Sequence, residues 1–269
     1  MALNPFSIRY APLTARAFYD ILPFMTILIT NDDGLSSEGI QILAAHLRDT
    51  HEVWVVAPSS NRSGVSHGIT MGGSLELTRC GHQEYSCSGL PVDCSITAFE
   101  AIMPRRPDAV ISGINRGANI GTDIVFSGTA AAARQASFSG IPGIAVSLVC
   151  EDELFHWEPL ARFVRDNLDT LVSLCDRDIF VNINAPSLPR YRGARITGIS
   201  RRLYKDSIRL ETGNDGQTRS FFEGGTIDTH GDDDCDWRAV SSGFVSVSRV
   251  HAQPLSASLG EIAEPAFKV

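Results

Sequence analysis

"ILITNDDGLSSEGI", residues 27–40, runs from β-branched and apolar residues through two adjacent carboxylates, Asp32 and Asp33, into a stretch with helical spacing. A short apolar run closed by polar residues and followed by a helix is the first half of a βαβ unit. In a parallel α/β sheet, ligands bind beyond the carboxyl ends of the strands, which is where Asn31, Asp32 and Asp33 fall. Two neighbouring carboxylates repel, and the arrangement persists where a cation or a set of donors neutralises them. An all-oxygen environment suits Mg²⁺, Mn²⁺ or Ca²⁺. The bland alternative is that one Asp caps the helix beginning near Ser36 or Ser37 and the other is solvated.

The same alternation continues downstream. "VWVVA" (53–57), "DAVIS" (108–112), "GIAVSL" (143–148) and "IFVNI" (179–183) read as further strands after "TILIT" (26–30). Ile40, Leu43, Ala44 and Leu47 recur with the period of a helix, as do Leu160, Phe163, Val164, Leu168, Leu171 and Val172. "GTAAAARQAS" (128–137) is helical by alanine propensity and begins after Ser127, a good cap. The predicted fold class is α/β: a largely parallel sheet flanked by helices. Past Pro189 the composition turns polar, with turn residues in "GNDGQ" (213–217), "EGG" (223–225) and "DTHGDDDCD" (228–236), while "FVSVSRV" (244–250) alternates like an antiparallel strand. The expected organisation is an N-terminal extension (1–24), a catalytic core (25–189) and a C-terminal β-hairpin arm (190–269) for oligomerisation.

Composition narrows the class. Of 269 residues, 43% are apolar and 20% charged, which is ordinary for a globular domain. No apolar run approaches the roughly 20 residues needed to span a bilayer, so no membrane is expected as a partner. A net charge of −8 (23 Lys and Arg against 31 Asp and Glu) argues against a nucleic-acid backbone but not against a locally held phosphate. Six scattered cysteines without a C-x-x-C pattern read as free thiols of a cytoplasmic protein.

Two further stretches carry chemistry. "APSSNRSGVSHGIT" (57–70) gathers hydroxyls, glycines, Arg62 and His67 in a long loop after the second strand. His67 is a candidate general acid, although a lone histidine in a loop is more often a hydrogen-bonded surface residue. "GINRGANIGTDIVFSGTAAAA" (113–133) offers Asn115 and Asn119 as neutral oxygens, then Ser127, Gly128 and Thr129 at a helix start, where free amides and two hydroxyls make an anion site. The spacing matches neither a dinucleotide fingerprint nor a P-loop. Asp93 reads as a first-turn acid and "DDDCD" (232–236) as a solvated turn.

"ILITNDDG", "APSSNRSGVSHGIT", "SGINRGANIGTD", "FSGTAAAA" and "GIPGIAVS" occur in this order, and the chain from Met25 to about Leu148 thereby resembles the SurE (survival protein E) family. "RRLY" and "SSGFVSVS" extend the resemblance into the tail. It implies a nucleotidase that hydrolyses nucleoside 5′- and 3′-monophosphates with one divalent cation per subunit, Mg²⁺ or Mn²⁺, often with activity on short polyphosphate. It also implies a Rossmann-like α/β fold with a C-terminal arm exchanged between subunits in a homodimer or homotetramer. Carried over by position, Asp32, Asp33, Ser63 and Asn115 would hold the metal. Asn119 and the Ser127-Gly128-Thr129 turn would hold the phosphate, with Asp32, Asp33 and Asn119 catalytic. Asn31 and Gly34 would shape the turn. Leu90 and Gln135 depart from the family's usual Thr and Glu, outside the four metal ligands.

Two rivals compete. A haloacid-dehalogenase-like phosphatase needs D-x-D rather than adjacent carboxylates. A non-catalytic nucleotide-binding module of universal-stress-protein type has no use for the Asp pair.

Overall fold

Thr26–Thr30 form strand β1, every residue of which is buried. It lies between two parallel neighbours, pairing Ile27 with Val53 of β2 (Glu52–Pro58) on one side and with Ala109 of β5 (Ala109–Arg116) on the other. Because strand side chains alternate between faces, Ile27 and Ile29 pack into one apolar cluster and Leu28 into the other. The first cluster is filled by Ile40, Leu43, Ala44 and Leu47 of helix α1 (Glu38–Arg48), the stripe expected from their spacing. The opposite cluster takes Cys94 of α2 (Pro91–Thr97) and Ala136 of α3 (Gly128–Phe138). Helices therefore cover both faces, the arrangement a mostly parallel sheet requires.

The computed structural model describes residues 24–150 and 152–255, so the expectation of an extension over 1–24 lies, apart from Phe24, outside the described residues. The strands form a nine-stranded sheet in the order β3-β4-β2-β1-β5-β6-β7-β11-β8. The remaining members are β3 (Leu77–Gly81), β4 (Glu84–Cys87), β6 (Gly143–Val149), β7 (Ile179–Pro186), β8 (Ala194–Ile196) and β11 (Val245–His251). Strands β4, β2, β1, β5, β6 and β7 run parallel, whereas β3 and β11 pair antiparallel with β4 and β7. All five strands read from the sequence are present, and β5 continues through Asn115 to Arg116 instead of stopping at Ser112.

The helical stripe from Leu160 to Val172 is two helices, α4 (Trp157–Asp166) and α5 (Leu168–Ser173). The break is Asn167, whose Nδ2 donates to the Phe163 carbonyl at 2.8 Å and caps the first of them. Beyond Pro189 the chain divides. Strands β8 and β11 return to the main sheet, while β9 (Arg201–Thr212) and β10 (Thr218–His230) form a separate two-stranded hairpin closed by residues 213–217. "EGG" is not a turn but a bulge in β10, where the register shifts between Phe222 and Gly224. "DDDCD" needs a larger correction. Asp232, Asp233 and Asp234 are exposed, but Asp236, in α6 (Asp236–Ser241), is fully buried and accepts from the amides of Gly121, Ser200 and Trp237 at 2.8–2.9 Å.

Candidate active site

The turn after β1 is built by Asn31. Its Oδ1 accepts from Gly34 N at 3.1 Å, and its Nδ2 donates to Gly34 O at 2.9 Å and Ser37 Oγ at 2.8 Å. Gly34 takes a φ of +102°, a conformation that only glycine adopts without strain. Ser37 ends up as the residue preceding α1, so neither Asp caps that helix. The turn frees both carboxylates from local duty and directs them to groups far away in sequence.

Asp32 is 3% exposed. Its Oδ1 accepts from the Thr129 hydroxyl at 2.6 Å and its Oδ2 from the Thr129 amide at 3.2 Å. Burial nevertheless lifts its pKa to about 6; the Thr129 bonds oppose that rise and the neighbouring Asp33 charge adds to it. Asp33 is less enclosed. Its Oδ2 accepts from the Arg116 amide at 2.9 Å, while Oδ1 meets only Asn61 Nδ2, at 3.5 Å. Burial raises its pKa too, against the Arg116 amide and charge.

Asp32, Ser63, Asn115, Asn119 and Ser127 line one cleft of about 340 Å³. Asn115 donates Nδ2 to the Gly117 carbonyl at 3.1 Å, a bond that leaves its amide oxygen uncommitted. Ser63 is held through its amide on Asn61 Oδ1 at 2.8 Å, so its hydroxyl is uncommitted by that bond. Ser66 fastens the same loop through Val125 O at 2.7 Å and Phe126 O at 3.0 Å, and Thr70 does so through the buried Asp93. Asp93 is thus more than a first-turn acid, since it also accepts from Leu90 N at 2.9 Å. His67 meets Gln135 Oε1 at 3.1 Å over α3 and is not among the residues lining the cleft, so the structure gives it a hydrogen-bonded place outside the Asp32 cleft.

Three expected site residues sit differently from the simplest reading. Asp33 opens onto a neighbouring cavity, separated from the cleft by Arg116, which lines both. Thr129 is fully buried and spends hydroxyl and amide on Asp32, so it positions the carboxylate instead of facing a phosphate. Gly128 packs under Asp32: a Cβ there would come within 2.9 Å of Asp32 Cβ and 3.0 Å of Oδ2. The anion site at the start of α3 therefore reduces to the first amide of the helix and Ser127, whose Oγ accepts from Ala130 N at 3.0 Å and keeps its own proton to donate. Asn119 is anchored by Nδ2 on Ser147 Oγ at 2.8 Å and by its backbone on Asn182 and Asn184.

The cleft has a wall that the sequence did not disclose. Asp123, 7% exposed, bonds both the Arg202 guanidinium and the Tyr204 hydroxyl, and all three line the cleft. Arg202 and Tyr204 stand at the root of the hairpin, within "RRLY". That motif was the available signal, but nothing in its spacing ties it to Asp123.

Among the described residues no three His, Cys, Asp or Glu side chains gather as a metal cage. The donor set here is two carboxylates with neutral hydroxyl and amide oxygens, without sulfur or imidazole. That chemistry fits a hard cation such as Mg²⁺ or Mn²⁺, which keeps part of its water shell and needs few anionic ligands. Burial is the first cause of the raised pKa of both carboxylates, which marks the pair as a functional-site candidate.

Sheet and cleft together define an α/β protein with an acidic, oxygen-lined site at the carboxyl ends of its parallel strands. The family model described as Survival protein SurE matches residues 27–206, and the chain belongs to that family. It is 37% identical over 233 residues to a protein of Thermosipho melanesiensis named 5′-nucleotidase SurE, covering 84% of this chain and 91% of that one. A protein of Symbiobacterium thermophilum with the same name is 39% identical over 234 residues, with 84% and 91% covered. The crystal structure of the SurE protein from Aquifex aeolicus superposes with a TM-score of 0.77 at 31% identity, over 88% of this chain and 97% of that one.

Proposed function

We propose that this protein is a divalent-metal-dependent 5′-nucleotidase that hydrolyses nucleoside monophosphates to nucleoside and phosphate. The observation that carries the reading is the Asp32–Asp33 pair at the end of the central strand, with Asp32 in one cleft with Ser63, Asn115, Asn119 and Ser127. Asp32, Asp33, Ser63 and Asn115 would hold the cation. When bound, it supplies Lewis-acid polarisation of the phosphoryl group. The chain's own part is to position and to neutralise. Ser127 and the first amide of α3 donate to phosphoryl oxygens at the positive end of that helix, and the anchored Asn119 fixes the far side. Asp32 has both oxygens engaged by Thr129, whereas Asp33 keeps one weakly bonded oxygen for the cation. A binding module without turnover would need neither carboxylate.

The test is phosphate release from AMP before and after EDTA treatment, with Mg²⁺ or Mn²⁺ restored, and with 3′-AMP and short polyphosphate as further substrates. Activity is expected to vanish with EDTA and return with metal. The unfolding midpoint should rise in parallel, since a cation present at about 100 times its Kd adds about 2.7 kcal/mol. Full activity in EDTA would sink the metal assignment.

Two or more copies associate through the hairpin in this reading. Ile208, Leu210 and Phe222 share one face of it and are 56%, 66% and 74% exposed, an apolar patch that an isolated two-stranded hairpin does not support. Light scattering on Ile208→Asp/Phe222→Asp should give a monomer where the native chain gives a dimer or tetramer. An unchanged mass would remove the hairpin from the interface. Six free cysteines, and no helix among the described residues long and apolar enough to cross a membrane, suit work in the reducing cytoplasm.

A further inference from the structure

The cleft around Asp32 is flanked by two other cavities. Beyond Arg116 lies one of about 520 Å³ lined by Asp33, Glu38, Glu153, Phe155 and Trp157. It has three carboxylates, and its aromatic rings are engaged: Phe155 stacks on Trp157 at 4.8 Å under the Arg116 guanidinium, also at 4.8 Å, and Trp157 Nε1 donates to Glu38 at 3.0 Å. That cavity repels an anionic ligand and has no free aromatic face to offer.

The second flank is different. A cavity of about 540 Å³ shares Ala118 and Arg202 with the cleft, and Ile120, Leu188, Trp237, Ser241 and Asp152 contribute to its walls. Its size and mixed lining are those of small-molecule sites. Trp237 is partly exposed, with the Arg238 guanidinium 5.7 Å from its ring centroid. Arg202 stands at the junction of cavity and cleft. Its Nη1 is spent on Asp123, but its Nε is buried and without a partner among the described residues.

We infer that this 540 Å³ cavity is the nucleoside subsite: the base stacks on Trp237 while the sugar-phosphate link passes Arg202 at the junction with the cleft. The assignment rests on the nucleotidase reading and adds where the base goes. It makes Trp237, in α6 and remote in sequence from the Asp pair, a determinant of preference for nucleotides over simpler phosphate esters.

The experiment compares AMP with ribose 5-phosphate, which lacks the base, using the full chain with Mn²⁺. For Trp237→Ala the ratio of kcat/KM for AMP to that for ribose 5-phosphate should fall about tenfold, carried mainly by KM, as expected when one base loses its aromatic platform. Trp237→Phe, which keeps a stacking ring, should retain most of the ratio. A ratio within twofold of the native value in Trp237→Ala, or an equal loss on both substrates, overturns the proposal. Adenosine alone should quench the native tryptophan fluorescence, and the quench should disappear in Trp237→Phe. A quench that survives there puts the nucleoside elsewhere and also overturns it. If the native protein hydrolyses neither ester, the nucleotidase reading fails. The adenosine quench still decides the subsite: its loss in Trp237→Phe supports it, and the absence of any quench in the native protein refutes it.

Discussion

Asp33→Asn is expected to lower phosphate release from AMP by on the order of a thousandfold while moving the unfolding midpoint by about 2 °C or less. The two halves of that expectation have separate causes. Asparagine retains an oxygen for the Arg116 amide, and Asp33 is only partly buried, so the fold loses little. In the proposed site the substitution removes an anionic ligand to the cation, and it removes the carboxylate oxygen of the pair that the protein leaves weakly bonded. Asp32→Asn should lose a comparable amount of activity. Its amide nitrogen would meet a Thr129 donor, so stability should change with it. Measured side by side with Mn²⁺ present, native-like rates for Asp33→Asn would refute the role given to it.

Gly39→Ala is expected to destabilise the protein by about 3 kcal/mol or more, lowering the midpoint by roughly 6–12 °C. Alanine normally favours a helix over glycine. Here the second residue of α1 sits against β5, and a Cβ would fall 2.1 Å from the Ile114 carbonyl oxygen and 3.1 Å from the Trp157 ring. Backbone must move, and the backbone in question leads directly to Asn115. Activity should therefore drop more than the stability loss alone explains, which differential scanning calorimetry and AMP turnover on the same preparation would separate. A midpoint at or above the native value would show that α1 shifts without cost.

The central strands and α1 were legible because burial on both faces writes itself as β-branched runs, and a core stripe writes itself as a 3.6-residue period. Asp32, Ser63, Asn115, Asn119 and Ser127 were legible as candidates from their motifs, and the fold lines one cleft with them. The hairpin of β3 and β4 was missed because Leu77 to Cys80 are all exposed at a sheet edge, so no alternation marks them. Thr129 was misread for a different reason. A hydroxyl at a helix start looks the same in sequence whether it faces a phosphate or a buried carboxylate 97 positions away. Asp123 with Arg202, and Asp236 with Gly121 and Ser200, are likewise pairings between distant segments that local composition cannot record.

The last of these has a thermodynamic meaning. One carboxylate receives an amide from the loop after Asn119, one from the approach to the hairpin and one from its own helix. Were the Asp236 side chain to leave, three donors would be orphaned at once, so none of the three segments can open alone at its own small cost. The cleft floor, the arm's attachment and the last helix before β11 thus lean on one shared acceptor, so opening any one of them breaks a bond to a carboxylate that the other two also hold.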